Sequence, residues 1–429
     1  MILPLLAALQ LATAQDSVPT VSLAEALERA AQLDPNYVAA LGQVSSAEWV
    51  RRAALAVFVV PAVTLSTSAT RYSVPTFNLG TFQPALYSVG AQVSAQLDVF
   101  TGGQKLAGLR SSGALLEGAR AGEVQARYAT ALQTESDFYA VIAARALARV
   151  AEDQVHRAEQ QFAVARARVV SGAAVQTDSL QLALGLTQAR VTLLQQRAAL
   201  RVAQLELGRR IGLQGAADAL PAEADTAAAP PLPFSTADAV ERALGQGPAW
   251  RMARADERAA DAQLWQRRAA YLPKASLAFT SGAFDTKFFP SAVSRSALTL
   301  TVSVPLWDNG QREILVSQAR VSRDVARAVR SDLERSAWRD VTEAYEAYET
   351  SRATFALDRD AVAVARENNR VQETRYRAGA TTILDLLDAQ NRLVQAEADQ
   401  VQAMVDSRLA RAGLEVMLGE RITFGREPQ

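Results

Sequence analysis

The chain has 429 residues, 49% of them hydrophobic, with 45 basic and 45 acidic side chains, one histidine and no cysteine. Balanced charge removes the electrostatic footprint of a nucleic-acid binder, so nucleic acid is not expected as a partner. Without Cys there is no disulfide, thiolate metal site or Cys nucleophile. The single His156 lies in a polar helical run, EDQVHRAEQQ, so no metal, cofactor or catalytic residue is expected and the chain does not read as an enzyme.

Residues 1–14 form an apolar run ending Ala12-Thr13-Ala14, a small-x-small cleavage pattern, and are expected to be a secretory signal peptide. Ser22 is placed to cap a short amphipathic helix that ends before Pro35, and a second helix is expected over about 36–59. After Pro61 the period changes. Ala62 to Ala69 alternates apolar and small polar residues, the strand signature. A Pro/Gly/aromatic loop over about 73–87 is followed by alternation again from Val89 to Phe100. Gln104 to Val170 contains no Pro, although Gly108, Gly113, Gly118 and Gly122 loosen its first turns. Ser171-Gly172 breaks that run, and a further helix is expected over 175–211. Residues 213–235 have linker composition, rich in Pro and Ala.

The programme then restarts. Ser235 and Pro248 stand 213 residues after Ser22 and Pro35. Strands are expected at 274–281 and 298–304, and Trp307-Asp-Asn-Gly310 matches Phe100-Thr-Gly-Gly103 at an offset of 207 (310 − 103). From Gln311 to Ala378 no Gly or Pro occurs. Ala, Arg, Glu, Gln and Val dominate this stretch, most of them good helix formers. One helix of that length would reach about 100 Å. Trp338 with Tyr345, and Val341, Tyr348, Phe355 and Val362, are spaced by seven, the pattern of helix-on-helix packing. Gly379, Asp385 and Gly419 repeat Gly172, Asp178 and Gly212 at the same 207 offset. The chain is therefore an internal duplication: a first repeat over 15–212, an equatorial linker over 213–235, a second repeat over 236–419 and a C-terminal tail over 420–429.

Each repeat holds two strands of about ten residues, the length a tilted strand needs to cross a bilayer. Their alternation fits lipid on one side and water on the other. Four strands cannot close a transmembrane barrel, and an open edge is not tolerated in hydrocarbon. The barrel must then be shared between chains. The competing reading is a soluble periplasmic coiled-coil adaptor or scaffold, with two hairpins capping a helical rod.

In its duplicated SLAEAL and STADAV openings, its LDVFTGGQ and VPLWDNGQ junctions, and RYRAGATTILDLLDAQNRL (375–393), the sequence resembles the TolC family of outer-membrane efflux channels. The likeness covers about 20–420. It implies a mainly α fold with a membrane β portion: a long-helix α-barrel continuous with a 12-stranded β-barrel, shared by a homotrimer with four strands per chain. It implies the exit duct of a tripartite efflux or type I secretion system, placed in the outer membrane with a long periplasmic extension. The partners implied are a periplasmic adaptor protein, an inner-membrane pump of RND or ABC type, and outer-membrane lipid.

The site expected is the periplasmic gate after Gly172 and Gly379. Gly379 can end the long helix in a left-handed cap, and Thr381 or Thr382 can cap the returning one. Leu386 with Leu393, and Leu387 with Val394 and Val401, give its packed stripe. Asp385 and Asp388, three apart, share a helical face. In a trimer they would make an acidic constriction; alternatively Asp385 only stabilises a helix N-terminus. The resemblance favours the gate, and it implies that Tyr376 and Asp178 join hydrogen bonds that hold the tip closed. Thr381 stands where some members carry a basic residue; Arg375 and Arg377 lie across the turn. At the other end Phe100, Gly102, Gly103, Trp307, Asn309 and Gly310 are expected to form strand-to-helix junctions, with glycine and asparagine at positive φ and the aromatics at the membrane interface or in local packing.

Overall fold

The computed structural model describes residues 18–78, 82–172, 175–222, 229–286 and 293–423; the expected signal 1–14 and most of the expected tail lie outside them. In chain order the elements are β1 (Thr20–Val21), α1 (Leu23–Leu33), α2 (Pro35–Ala56), β2 (Ala62–Asn78), β3 (Gln83–Phe100), α3 (Gln104–Val170) and α4 (Gln176–Arg210). They continue with β4 (Asp218–Ala219), α5 (Thr236–Gln246), α6 (Pro248–Arg268), a 3-10 turn (Ala269–Tyr271), β5 (Lys274–Asp285), β6 (Val293–Ser303), α7 (Gln311–Arg377) and α8 (Ile383–Leu418). Among the described residues no helix is long and apolar enough to cross a membrane.

The repeat is written into the backbone. Gly103 and Gly310 have φ of 91° and 79°, Gly172 and Gly379 both 74°, Gly212 and Gly419 77° and 68°. Even the unlike pair Gly102 and Asn309 (309 − 102 = 207) shares the left-handed region, at 61° and 57°. Ser22 accepts the Glu25 amide to cap α1, and Ser235 forms a full capping box with Asp238 on α5. Pro35 opens α2 rather than merely ending α1, since its missing N–H falls where a helix leaves a donor unpaired. The four early glycines leave α3 unbroken.

The chain divides into two compact units, one of 40–123 with 248–336 and the other of the remaining segments. The first unit carries a four-stranded antiparallel sheet in the order β2-β3-β5-β6. Its strands run 17, 18, 12 and 11 residues, longer than the ten or so expected. The expected loop at 73–87 is mostly strand. Tyr72, Val74 and Phe77 continue the β-forming composition, and Pro75 falls in a register shift between Arg71 and Thr76 on an edge strand, where a missing donor is tolerated.

Register shows what the alternation does. Residues opposite one another in an antiparallel ladder share a face. Val63, Ala95, Phe279 and Leu298 form one row, and Leu97, Leu277 and Leu300 the next on the same side. The rows on either side of the first hold Thr64, Ser94 and Thr280, and Gln96 and Thr299. Over these rows, nearest the helices, one face is thus apolar and the other polar, and Val63, Leu65, Leu298, Leu300 and Val302 stand exposed on the apolar one; further along, Ser281, Ser296 and Asp285 fall on the first face and Phe284 on the second.

The other unit is built on α7. Val341, Tyr348, Phe355 and Val362 are all buried, and the spacing continues through buried Asn369 and Tyr376. Trp338 departs from the expected pattern: it is exposed and Tyr345 only half-buried, so their row lies beside the stripe. Tyr348 joins Phe234, Val240, Leu414 and Leu418 in one cluster, and Phe355 joins Phe138, Tyr139, Leu207 and Met404 in another. The 213–235 segment is not a free linker. Asp218–Ala219 pairs in parallel with Thr20–Val21, and Arg145 holds the Asp218 carboxylate and the Ala219 carbonyl. Tyr348 donates to the Pro230 carbonyl at 2.6 Å and Tyr345 to that of Phe234 at 3.1 Å.

Candidate functional site

At the end of α7 the Gly379 amide donates to the Tyr376 carbonyl at 3.0 Å and Ala380 to Arg375 at 2.8 Å. With Gly379 left-handed, these two bonds make a Schellman cap. Two residues later Thr382 caps α8. Its hydroxyl accepts the Asp385 amide at 3.2 Å, while Asp385 Oδ2 accepts the Thr382 amide at 3.2 Å and the hydroxyls of Thr382 and Thr381 at 2.7 and 2.9 Å. These donors, the Thr382 hydroxyl foremost, hold the Asp385 carboxyl below its ordinary range. Of the two sequence readings of Asp385, the helix N-terminus is therefore realised in the chain: its side chain is committed to the turn.

Asp388 has a different role. It is exposed and pairs with Arg392 one turn on, at 2.8 Å. The buried stripe of α8 runs through Ile383, Leu386, Ala389 and Leu393, with Leu387, Val394 and Val401 half-buried on its flank. The two aspartates fall off it, as their spacing implied.

Tyr376 is almost fully buried, packed with Ala165, Leu182, Ile383 and Leu386. Its hydroxyl is buried and has no hydrogen-bond partner among the described residues. Burial, and then the negative charge of Asp178, push this phenol above its ordinary pKa, against the nearby Arg168. Within the single chain the Tyr376 hydroxyl takes part in no hydrogen bond, and Asp178 acts on it only through its charge. Arg168 was missed in the sequence. It donates to the Tyr376 carbonyl at 2.7 Å and lies over the ring, 5.1 Å from its centroid. It sits at the end of α3 at the position that matches Arg375 (375 − 207 = 168), and that correspondence was the available signal. Arg377 pairs with Glu373, and Arg375 reaches only the Ala380 carbonyl at 3.4 Å. The cation that closes the turn comes from the first repeat.

At the junctions, Phe100 and Trp307 are both exposed in the single chain. Arg312 straps the second one: it meets Asp308 at 2.9 Å, donates to the Pro305 carbonyl at 2.9 Å and lies over Tyr271. Lys105 straps the first, donating to the carbonyls of Val57, at 2.7 Å, and Asp98. Gly102 sits so close to Leu272 and the Ala269 carbonyl that a Cβ would lie within 2.7 Å of both.

The model of the family described as outer membrane efflux protein matches residues 22–213 and 239–420, one match for each repeat. The outer membrane efflux protein BepC of Brucella suis is 26% identical over 289 residues, 66% of this chain and 62% of that one. The toluene efflux pump outer membrane protein TtgC of Pseudomonas putida is 25% identical over 171 residues, 39% of this chain and 34% of that one. The alignments thus span less than two thirds of these relatives. In fold the likeness is nearly complete: the crystal structure of the outer membrane protein VceC from Vibrio cholerae superposes with a TM-score of 0.76 at 18% identity, covering 94% of this chain and 97% of that one.

Proposed function

The chain belongs to the outer membrane efflux protein family, and on that premise we propose that it is the passive exit duct of a tripartite export system. The observation that carries this reading is the four-stranded sheet, apolar on one face and polar on the other in the rows nearest the helices, with β2 and β6 as its two edges. An apolar sheet face in contact with water is costly, at roughly 25 cal/mol per Å², and an unpaired edge in hydrocarbon costs several kcal/mol per orphaned group. Three chains, each pairing β6 with the next chain's β2, remove both costs in a 12-stranded barrel with lipid outside and water within. A soluble adaptor or scaffold has no use for such a face.

In this trimer the helices continue the duct through the periplasm, where an adaptor and an inner-membrane pump of RND or ABC type deliver the cargo and the energy. The tip is the gate. Gly172 and Gly379 are its turns, Arg168 and Tyr376 its internal clasp with the charge of Asp178 beside them, and Thr381 with Asp385 the rigid start of the returning helix. Asp388 is the acidic group that lies outside the cap and can present charge to passing ions. The turns of Phe100 to Gly103 and Trp307 to Gly310 join barrel to helix at the membrane interface. The test is fractionation of cells expressing the full chain, followed by reconstitution in planar bilayers. Recovery in the outer membrane as a trimer with unitary conductance steps is expected. Recovery as a soluble periplasmic monomer rejects the reading.

A further inference from the structure

Ion pairs are common along the helices next to the sheet, as in Arg258–Glu117, Arg330–Glu257 and Arg120–Glu48. Two of the arginines there without such a partner share one cavity with an exposed tryptophan. Among the described residues Arg110 of α3 has no carboxylate partner, and Arg268, at the end of α6, meets only the ring of Trp265, 5.8 Å from its centroid. All three side chains line one cavity of about 350 Å³, together with Gly103, Leu106 and Leu272. Trp265 is 62% exposed, a costly place for so large an apolar surface.

The cavity adjoins the sheet. Gly103 follows the end of β3 at Phe100 by three residues, and Leu272 precedes the start of β5 at Lys274 by two. Gln266 and Arg267, on the opposite side of α6, line a second cavity of about 500 Å³ with Val50 of α2, Ser112 of α3 and Gln318 of α7. Trp265 and Arg268 therefore stand on the side of α6 away from this four-helix hollow. Arg258 bonds α6 to Glu117 of α3, and Glu257 bonds it to Arg330 of α7. α6 is thus flanked by its own chain on both sides.

We propose that this cavity binds the phosphate of an anionic phospholipid in the membrane leaflet next to the helices, which rests on the reading of the sheet as a membrane barrel. Paired guanidiniums match phosphate oxygens bidentately. Tryptophan favours the headgroup level, with its ring toward hydrocarbon and its N–H toward water. Leu106 and Leu272 receive the first methylenes of the acyl chain. The charge complements the lipid. A similar Trp-x-Arg-Arg sequence occurs at Trp49 to Arg52, where Arg52 lies 5.0 Å from the Trp49 ring centroid. There Glu48 pairs with Arg120, and neither Trp49 nor Arg52 lines this cavity, so that copy serves as a control.

The experiment titrates the detergent-purified full-length oligomer with phosphatidylglycerol, phosphatidylcholine or inorganic phosphate, reading bound lipid by native mass spectrometry and the thermal midpoint. Phosphatidylglycerol should bind in preference to phosphatidylcholine and raise the midpoint further at equal mole fraction. In R110Q/R268Q its affinity should fall about tenfold or more, as expected for lost charge-assisted contacts, and in W265A by less. R52Q should bind as the wild type does. Wild-type affinity in R110Q/R268Q, no preference over phosphatidylcholine, or the full midpoint shift with inorganic phosphate alone would each overturn the proposal. A chain that fractionates as a soluble monomer would instead reject the duct itself.

Discussion

Gly102 and Asn309 occupy equivalent positions in the two repeats and share one backbone conformation, so exchanging their side chains separates conformation from crowding. Asparagine tolerates the left-handed region, and at 309 it does so in the native chain. At 102 an added Cβ would lie 2.6 Å from Leu272 Cβ and 2.7 Å from the Ala269 carbonyl oxygen, against about 3.5–4.0 Å for a relaxed contact. Gly102→Asn must therefore displace the turn that leads into β5, an overpacking cost of about 1–3 kcal/mol. Asn309→Gly removes a side chain from a backbone that glycine adopts freely, and should change stability by less than about 1 kcal/mol. Because thermal inactivation of such a protein is expected to be irreversible, the half-life at one fixed temperature in detergent is the proper readout. If the strain is relieved on unfolding, G102N should inactivate about five- to a hundredfold faster than wild type, since 1.4 kcal/mol is a factor of ten. N309G should stay within a few-fold of wild type. Equal inactivation of wild type and G102N, or equal damage in both variants, would refute the claim that crowding by Leu272 and Ala269 is what requires glycine at 102.

Further outcomes follow from the helical unit. Thr382→Ala removes the hydroxyl that caps α8 and should cost about 1 kcal/mol, read as faster hydrogen exchange over 383–386. The Asp385 carboxyl is held below its ordinary pKa, so the folded state favours its ionised form. Its contribution to the tip is complete above about pH 4 and lost as pH falls through the lowered value; exchange at Thr382 and Asp385 should accelerate there in wild type and not in Asp385→Asn. Arg210 joins the buried carboxylates of Asp34 and Asp137, at 3.4 and 2.7 Å. Arg210→Ala leaves both carboxylates without their cation, though Asp34 keeps the amides of Asn36 and Tyr37 and Asp137 keeps Gln133; it should destabilise by about 2–4 kcal/mol, seen as loss of assembled protein, with Arg210→Lys recovering part. In planar bilayers Asp388→Ala should lower cation preference while leaving the tip folded; unchanged ion preference would remove Asp388 from the gate.

Much of this molecule was legible in one sequence because it is built twice. The 207-residue offset located Gly103, Gly172, Gly379 and Gly419 before any coordinate, since a left-handed turn selects glycine at a fixed place regardless of its surroundings. The heptad of Val341, Tyr348, Phe355 and Val362 was equally readable, because helical packing imposes its own period. What the sequence hid depends on partners distant in the chain. Trp338 has the right spacing but the wrong face. Residues 73–78 look like a loop because Pro75 forbids a central strand, and only the pairing shows that β2 is an edge. Residues 229–234 have linker composition, yet Tyr345 and Tyr348 fix them to α7. At the tip, Asp385 and Tyr376 were visible as types at positions, but their roles were not. Which oxygen accepts the Thr382 amide, and which arginine lies over the Tyr376 ring, is set by where α3 ends against α7. Periodicity and glycine placement are local properties and survive in sequence; capping partners, cation contacts and the pairing of sheet edges arise only when separated segments meet.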